Sequence, residues 1–289
     1  MRLMFCTDIH AGCNHLDTLI KTASSIDIDA LIVGGDLVPH HLPQFNNLSL
    51  YEAQSEYLHT VFIPGFKKFR HLSDIPVYLD MGNDDLAGNR SILKAYDGIL
   101  FQLLHMQCLP LTKEIDLLGY MMVPPSPLDR KDWEKPDTQT FPCLSGNSFR
   151  SDGFITINGY VQKTVLNLKT SATIEADLAL LSRKVQRPFI FVSHGPPANT
   201  PLDVIHSKRH VGSMAIRNFI AKWAEKGSLV GSLHGHIHEA PMISGTNQTR
   251  INGAMCINPG QNEGAQAELK YVLLKLDTNP TPPTIEMLP

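Results

Sequence analysis

Three histidines stand at alternate positions in residues 230–240 of this chain. They are His234, His236 and His238, in the segment Val-Gly-Ser-Leu-His-Gly-His-Ile-His-Glu-Ala. A period of two is typical of a β-strand, so the pattern predicts that all three side chains leave one face of an extended segment. Neutral imidazole is the commonest metal ligand among protein side chains, and Gly235 leaves a gap for a backbone, an ion or a substrate. The segment predicts either a metal site or ordinary histidines on an edge strand.

Further residues of ligand type occur at four other points, as Asp8 with His10, Asp36, Asn83 and His194. Each follows a short apolar run that predicts a buried strand. These runs are Arg2–Thr7, Ala30–Val33, Val77–Asp80 and Phe189–Val192. In parallel α/β sheets ligands bind outside the carboxyl ends of the strands, so we expect these side chains to converge. For any one Asp or Asn, capping of a helix is the alternative.

Helical patterns separate most of these strands. The predicted helices are one from an Asn14 cap to about Ser25, a helix or helix pair over Tyr51–Arg70 interrupted at Pro64-Gly65, Ile174–Val185 and Ser213–Trp223. A further strand, Leu229–Leu233, precedes the three histidines. Strands that alternate with helices predict right-handed crossovers and a largely parallel sheet, at least in the first half of the chain.

The middle of the chain is less regular. Glu114–Val123 predicts a strand pair, and residues 124–153, rich in Pro, Asp, Ser and Gly, predict a long loop that acts as a flap over one rim of the site. Trp133 in this loop either stacks on a substrate base or packs back on the body. We expect one domain over residues 1–278, including this flap, and a loosely held proline-rich tail over 279–289.

The end of the domain contains several short elements. The sequence predicts a hairpin turn at Ser244–Asn247 and strands over Ala254–Ile257 and Lys270–Leu276. Because these strands lie close together in sequence, we expect them to be antiparallel and to form a second sheet.

The composition is that of a soluble globular protein. The chain has 289 residues, 43% of them hydrophobic, with a net charge of −3 and scattered Lys and Arg. It offers no basic surface for nucleic acid or an anionic membrane, and no apolar run approaches the ~18 residues that a membrane span needs. The apolar start, Met1–Thr7, is too short for a secretory signal. Five irregularly spaced cysteines argue against a disulfide framework and predict a cytoplasmic protein. No feature predicts an oligomeric state.

The ordered blocks of this sequence resemble the calcineurin-like metallophosphoesterase superfamily. The blocks are Asp8-x-His10, Gly35-Asp36, Gly82-Asn83-Asp84-Asp85, His194 and Gly235-His236-x-His238. The resemblance extends from Asp8 to about Gly260, and the region around His206–Arg217 is most similar to a small prokaryotic subgroup. It implies an α/β fold, namely a four-layer α-β-β-α sandwich with two facing mixed sheets and a dinuclear metal centre between the sheet ends.

The resemblance also implies a role for each ligand. One metal ion would be held by Asp8, His10 and His238, the other by Asn83, His194 and His236, and Asp36 would bridge the two. Carboxylate, amide and imidazole ligands together suit Mn, Fe, Ni or Zn. Two such ions clamp a phosphoester for in-line displacement, and a water between them is acidic enough to attack phosphorus as hydroxide. His234 is expected to support the structure, because its block already supplies two ligands.

The chain departs from the family pattern at one position. The third block usually continues Gly-Asn with a histidine that contacts phosphate, but here that position is Asp84, whose catalytic role is open. An ionised carboxylate cannot donate a hydrogen bond and repels a phosphate dianion. Either another residue supplies the donor, or the substrate is a diester or another monoanion, or activity has been lost. His210 is a candidate replacement or an ordinary loop residue, and Ser213 begins a predicted helix whose N-terminus could bind phosphate.

Two classes of function follow from these observations. The first is a metal-dependent hydrolase of a small phosphoester or nucleotide, with Asn83, His210 and Ser213 as candidate substrate-binding residues and phosphodiesters favoured over monoesters. The second is a catalytically weak regulator or scaffold that binds metal or nucleotide on the same fold. Turnover of aryl phosphodiesters with added Mn²⁺ would discriminate between the two classes.

Overall fold

The computed structural model describes residues 1–39, 42–141, 143, 149–157, 159–264, 267–279 and 283–288. Residues 142 and 144–148 of the predicted flap, and 280–282 and 289 of the predicted tail, lie outside the described residues. In chain order the strands are β1 Arg2–Cys6, β2 Ala30–Val33, β3 Val77–Leu79, β4 Gln102–Leu103, β5 Cys108–Pro110, β6 Asp116–Tyr120, β7 Asp152–Ile157, β8 Tyr160–Val165, β9 Phe189–Ser193, β10 Leu229–His234, β11 Gln248–Ile251, β12 Ala254–Ile257, β13 Val272–Asp277 and β14 Thr284–Met287. The α-helices are α1 His15–Ser25, α2 Leu50–Tyr57, α3 Ile63–Leu72, α4 Arg90–Lys94, α5 Ile174–Leu181, α6 Met214–Glu225 and α7 Ala240–Ser244.

The first sheet contains the strands that precede Asp8, Asp36 and Asn83. Its order is β14-β13-β1-β2-β3-β4, and β1 to β4 are parallel. All residues of β2 and β3 are buried, as expected of parallel strands that are covered on both faces. The predicted parallel sheet is confirmed in this half of the chain, and its three central strands end side by side.

The second sheet has the order β11-β12-β10-β9-β6-β5. Strands β6, β9, β10 and β12 are parallel, and β5 and β11 are antiparallel at the two edges. The predicted pair within Glu114–Val123 is therefore wrong, because β6 pairs with the preceding strand β5 instead. The two late strands were also expected to share an antiparallel sheet, which is wrong: β12 lies parallel to β10, whereas β13 pairs with β1 in the first sheet. Closeness in sequence agrees with the β5–β6 pair, but it does not decide the sheets of β12 and β13, which lie beside β10 and β1 and not beside each other.

Alternation along the second sheet shows where the layers lie. Ile190 and Val192 of β9 belong to the large core shared with the first sheet and α1 to α3. Phe189 and Phe191 of the same strand face the other way and pack with α5 and α6. Because successive strand residues point to opposite faces, the two sheets face each other between two helical layers. The predicted four-layer sandwich with two mixed sheets is confirmed.

The predicted helix break at Pro64 is displaced toward the N-terminus. Helices α2 and α3 are joined by a π-helical turn, Leu58–Phe62, so the chain stays helical from Leu50 to Leu72. Proline lacks an N–H and its ring crowds the carbonyl one turn earlier, and the wider π turn accommodates both effects. Gly65 then allows close packing, since a Cβ there would lie 2.9 Å from Ile20 of α1.

Near the C-terminus, the position of the hairpin turn and the last strand differ from the expectations from the sequence. The hairpin between β11 and β12 turns at Asn252 and Gly253, whose φ values are 47° and 89°. Positive φ at both central residues is typical of a type I′ turn. The predicted turn at Ser244–Asn247 instead contains the end of α7, which stops at Gly245 with φ 79°. Within the tail, Thr284–Met287 forms an edge strand on β13 rather than loose chain. In the part of the chain that the structure describes, no helix combines the length and apolarity needed to cross a membrane.

Candidate metal centre

Two turns at the ends of β1 and β2 place Asp8 and Asp36. Both residues have left-handed backbone conformations, with φ 55° and 54°, which short polar side chains tolerate better than branched ones. The turns are hydrogen-bonded to each other, since the Asp8 N–H donates to Gly35 O (3.0 Å) and the His10 N–H to Asp36 O (3.1 Å). Backbone strain held in place in this way is typical of functional sites.

The second sheet contributes histidines from two turns, but not as the sequence predicted. Strand β10 ends at His234, and His236 has a left-handed backbone with φ 69°. The three histidines therefore do not leave one face of an extended strand. The reason lies in Asp8, whose carboxylate accepts a hydrogen bond from the His236 N–H (3.0 Å) and so holds a turn there. Gly235 is required at this point because a Cβ would overlap Thr7 and Asp8.

His234 lies outside the centre, in agreement with its expected structural role. Its Nδ1 donates to Gly195 O (3.1 Å) and its Nε2 lies 2.9 Å from Ser232 Oγ. The ring is fully buried, and burial lowers the pKa of His234 to about 4. It is a neutral core histidine that joins β10 to the loop after β9.

Four buried side chains form what we call the first cluster: Asp8, His10, Asp36 and His238. One potential ligand atom from each lies within 4.8 Å of the others. His10 Nε2 is 2.9 Å from His238 Nε2, and Asp8 Oδ1 is 3.4 Å from His238 Nε2. Two imidazole nitrogens and a carboxylate that converge in this way form the donor set of a borderline divalent cation.

Asn83, His194 and His236 form the second cluster. His194 Nε2 lies 2.9 Å from Asn83 Oδ1, and the His194 and His236 rings are 5.4 Å apart between centroids. Asp36 joins the two clusters, because its Oδ2 is 3.3 Å from His194 Nε2 and 3.6 Å from His10 Nδ1. All seven predicted ligands are thus brought together, with Asp36 between the two groups.

Opposite charges across the two clusters shift the pKa values of both partners. Burial alone would lower the pKa of His194, but Asp36 and Asp8 raise it to about 9. Asp8 and Glu263 likewise outweigh burial and hold the pKa of His238 well above its usual value. The pKa of Asp36 is lowered because His194 and His10 overcome the effect of burial. By contrast, burial and the nearby His194 lower the pKa of His236 to about 4.

Two carboxylates that the sequence did not single out hold the ligands in place. Glu263 Oε1 lies 2.9 Å from His238 Nδ1 and orients that ring, an arrangement common for metal-bound histidines. Asp85 accepts hydrogen bonds from the N–H groups of Leu37, Val38 and Gly82, so it ties the β2 turn to the β3 turn. Asp85 is recognisable from its block, whereas no local pattern marks Glu263.

A pocket of about 390 Å³ opens over the two clusters. Its lining includes proposed ligand residues, Asp84 and the arginine Arg209. It also includes apolar residues, among them Pro125, Leu128, Ile205 and Val211. Asp84 is buried and its Oδ1 lies 2.6 Å from Arg130 Nη2. Arg130 belongs to the predicted flap and also lines the pocket. Reasoning from the sequence missed this arginine, because nothing near it in the chain marks it.

The predicted flap lies along one rim of the pocket and is anchored by the β7–β8 hairpin. The Lys131 N–H donates to Phe154 O (2.9 Å) and the Phe154 N–H to Asp129 O (2.8 Å). Trp133 packs back on the body, with 4% of its surface exposed and its ring 5.2 Å from that of His105. Of the two roles open for Trp133, the structure supports packing.

His210 and Ser213 do not line the pocket. His210 Nδ1 is 2.7 Å from Asp203, and the His210 side chain is 39% exposed. Ser213 is fully buried, caps α6 through Ile216 N–H and donates to Asp137. Asp137 also accepts from the Met214 N–H (2.7 Å). The helix N-terminus that we considered for phosphate is therefore already occupied by the Asp137 carboxylate.

Comparison with known proteins gives one family and similar solved structures. The family model for calcineurin-like phosphoesterases matches residues 1–240. One crystal structure, 15% identical in sequence, superposes with a TM-score of 0.58 over 99% of this chain and 98% of that chain. The crystal structure of TT1561 of Thermus thermophilus is 12% identical in sequence. It superposes with a TM-score of 0.53 over 99% of this chain and 97% of that chain. At these identities the likeness concerns the fold alone. No curated protein matches the chain.

Proposed function

Because the chain belongs to the calcineurin-like phosphoesterase family, we propose that it is a hydrolase of small phosphoesters that works with two divalent metal ions. The observation that carries this proposal is the convergence of seven ligand side chains from five strand ends beside one pocket. The pocket volume of about 390 Å³ lies in the range of small-molecule sites.

The donor atoms fit metal ions of the Mn, Fe, Ni or Zn type. In the first cluster, His10 Nε2 and His238 Nε2 face each other at 2.9 Å beside Asp8, an arrangement that a shared cation would stabilise. Asp8, His10 and His238 would hold one ion, Asn83, His194 and His236 the other, and Asp36 would contact both. Two such ions supply charge neutralisation of the phosphoryl group and a water of lowered pKa as nucleophile.

The protein's own residues would orient the reacting groups and shield them. The Asp84 N–H holds Asp36 Oδ1 at 2.8 Å, Gly34 O accepts from His194 Nδ1 at 2.9 Å, and Glu263 orients His238. These contacts fix the ligand side chains before substrate arrives, which lowers the cost of reorganisation during reaction. Residues Pro124–Leu128 line the pocket, and a bound substrate would pack against them.

We propose a phosphodiester in preference to a monoester. Asp84 stands where the family pattern would have a histidine, and Asp36, Asp84, Glu239 and Glu263 all line the pocket. A diester carries one negative charge and a monoester close to two near pH 7, so these carboxylates repel the monoester more strongly. The apolar lining residues, such as Leu128 and Val211, offer a surface for the additional ester substituent of a diester.

The test is a screen of metal-loaded protein. Purified protein is loaded with Mn²⁺ or Zn²⁺, its metal content is measured by elemental analysis, and kcat/KM is determined for an aryl diester, an aryl monoester and cyclic nucleotides. We expect two ions per chain and the highest kcat/KM with a diester, and chelator-treated protein is the matched control. Failure to bind metal under saturating conditions would contradict the proposal.

The alternative is a catalytically weak regulator or scaffold, and Asp84 is the observation that favours it. Loss of a donor to phosphate can leave metal and nucleotide binding intact while it abolishes turnover. Two bound ions with negligible hydrolysis of every ester in the screen would support this alternative.

A further inference from the structure

We infer that Arg130 is the residue that binds the substrate phosphate, held in position by Asp84. This inference rests on the proposed function and extends it to the recognition of the substrate. Arg130 lines the same pocket as His10, Asp36 and Asn83, and its Nη2 lies 2.6 Å from Asp84 Oδ1.

The guanidinium of Arg130 has donors to spare. It carries five N–H bonds in a planar fork, and its Nε is buried without a hydrogen-bond partner among the described residues. Buried donors without an acceptor are unfavourable and rare in native proteins. A phosphate oxygen entering this pocket is an acceptor of the required charge and shape, since arginine binds phosphate with parallel N–H bonds.

Asp84 fixes the arginine over the metal ligands. Its backbone N–H donates to Asp36 Oδ1 (2.8 Å), and its carbonyl oxygen accepts from Gln54 Nε2 (2.9 Å). These two hydrogen bonds fix the Asp84 backbone beside Asp36 and so determine where the Asp84 side chain begins. Asp84 is then a positioning residue, because one oxygen of its carboxylate pairs with Arg130 at 2.6 Å and the other lies 3.4 Å from His10 Nδ1.

A purely structural role for the Arg130–Asp84 pair is the alternative. The backbone on either side of Arg130 is already anchored, because Asp129 O and the Lys131 N–H both pair with Phe154. The flap therefore does not need the ion pair to hold this position. Both residues of the pair also line the pocket, and 18% of the surface of the Arg130 side chain is exposed.

An arginine at this position has chemical consequences that a histidine would not have. A guanidinium group stays positively charged across the working pH range and does not give up a proton to a leaving group. Arg130 should therefore stabilise phosphate charge without acting as a general acid. Esters with acidic leaving alcohols, such as aryl esters, should be the better substrates.

The experiment compares Arg130→Gln, Arg130→Lys and Asp84→Asn with a control, Arg187→Gln. Arg187 also pairs with an aspartate, Asp116, at the start of β6, and it does not line the pocket. The metal content, the melting temperature, the Kd for inorganic phosphate by calorimetry, and kcat and KM for an aryl ester are measured on metal-loaded protein. Arg130→Gln should weaken phosphate binding and raise KM by roughly tenfold, the size of one charge-assisted hydrogen bond, without loss of metal.

The other variants separate recognition from folding. Arg130→Lys should restore part of the phosphate affinity. Asp84→Asn should weaken phosphate binding less than Arg130→Gln does, because Arg130 keeps its charge but loses the carboxylate that positions it, and an affinity as low as that of Arg130→Gln or an unchanged affinity would contradict the positioning role. If Arg130→Gln is unstable, the Asp84→Asn and Arg130→Lys results decide. Unchanged phosphate affinity in a folded Arg130→Gln, or no phosphate binding by the unaltered protein, would overturn the inference. A loss of phosphate binding in Arg130→Gln, together with no turnover by the unaltered protein, would support the inference and contradict hydrolysis as the function.

Discussion

The two sheets contribute to the centre in different ways. The first sheet supplies every oxygen ligand that we propose, as Asp8, Asp36 and Asn83, together with His10. The second sheet supplies only imidazoles, as His194, His236 and His238. In both sheets these side chains follow the carboxyl ends of parallel strands. The first sheet thus presents both carboxylates, and the second sheet presents imidazoles that can carry positive charge.

Because of this difference, side chains of opposite charge from the two sheets meet at the centre when no metal ion is bound. Asp36 contacts His194 and Asp8 contacts His238 across the boundary between the sheets, at 3.3 and 3.4 Å. Each contact lowers the pKa of the aspartate and raises that of the histidine. These two pairs of proposed ligands are therefore cross-sheet ion pairs in the ion-free protein, and a bound metal ion would replace their protons.

Removal of the shared anion should have the largest effect. We expect Asp36→Ala to lose both ions and to lower kcat/KM by more than about a hundredfold, because several kcal/mol of charge stabilisation correspond to at least two orders of magnitude. His236→Ala, which removes one imidazole of the second sheet, should lose one ion only. Elemental analysis and aryl ester kinetics on both variants check this. Two bound ions and full activity in Asp36→Ala would show that Asp36 is not shared.

The pH dependence of stability should reveal the cross-sheet pairs directly. The pKa of His194 rises from 6.5 to about 9 on folding, so folded protein binds more protons between these values. In ion-free protein its contribution is full below pH 6.5 and is lost as pH rises to about 9, on the order of 3 kcal/mol. With saturating metal the slope should reverse, because the ligands bind metal only when deprotonated.

Denaturant unfolding at pH 6 to 9 measures these slopes. His194→Gln should flatten the ion-free slope, whereas His105→Asn should not. Burial lowers the pKa of His105 to about 4, so His105 affects stability only below pH 6.5. The Asp8–His238 pair contributes an alkaline slope of its own, so a slope in His194→Gln as steep as in the unaltered protein would mean that the Asp36–His194 pair does not stabilise the ion-free fold.

An exchange of charge type on the first sheet should alter selectivity by a moderate amount. Asp84→His replaces a pocket carboxylate by an imidazole, so the ratio of monoesterase to diesterase kcat/KM should rise. One unit charge at ~4 Å and a dielectric of 20 contributes about 4 kcal/mol, and a quarter of this after screening gives roughly fivefold. The ratio is measured with an aryl monoester and the matching diester at constant metal content. A ratio that stays flat or falls would show that Asp84 does not set the preference.

The smallest effect is expected outside the centre, on the helix layer of the second sheet. Ser213→Ala should cost about 1 kcal/mol of stability through the lost cap of α6, with the KM for an aryl ester unchanged because Ser213 is buried against Asp137. Thermal or denaturant unfolding and KM are the two measurements. A raised KM at unchanged stability would restore Ser213 as a substrate residue.

The predictions that succeeded concern local patterns. Short apolar runs followed by Asp8, Asp36, Asn83 and His194 predicted both the strands and the convergence of these side chains at their ends. This works because an apolar run defines a buried strand by itself, and parallel strands share one direction at their carboxyl ends. The role of Asp36 as a shared ligand came only from the family resemblance and stays a proposal.

Other features depended on contacts between distant parts of the chain. The strand pattern of the three histidines failed because Asp8, far away in sequence, fixes a left-handed turn at His236. Asp137 fills the N-terminus of α6 from a position 76 residues before Ser213. Nothing in the neighbourhood of either residue predicts such a partner.

The sequence by itself determined which side chains follow the central strands, because a short apolar run and the polar residues directly after it are enough to predict both. Only the tertiary structure decided the sheet of each late strand and brought Arg130 to Asp84 and Glu263 to His238. These contacts join loops to strand ends across the fold. Their formation depends on the position that the packed sheets leave open for each loop, and that position is a property of the whole chain.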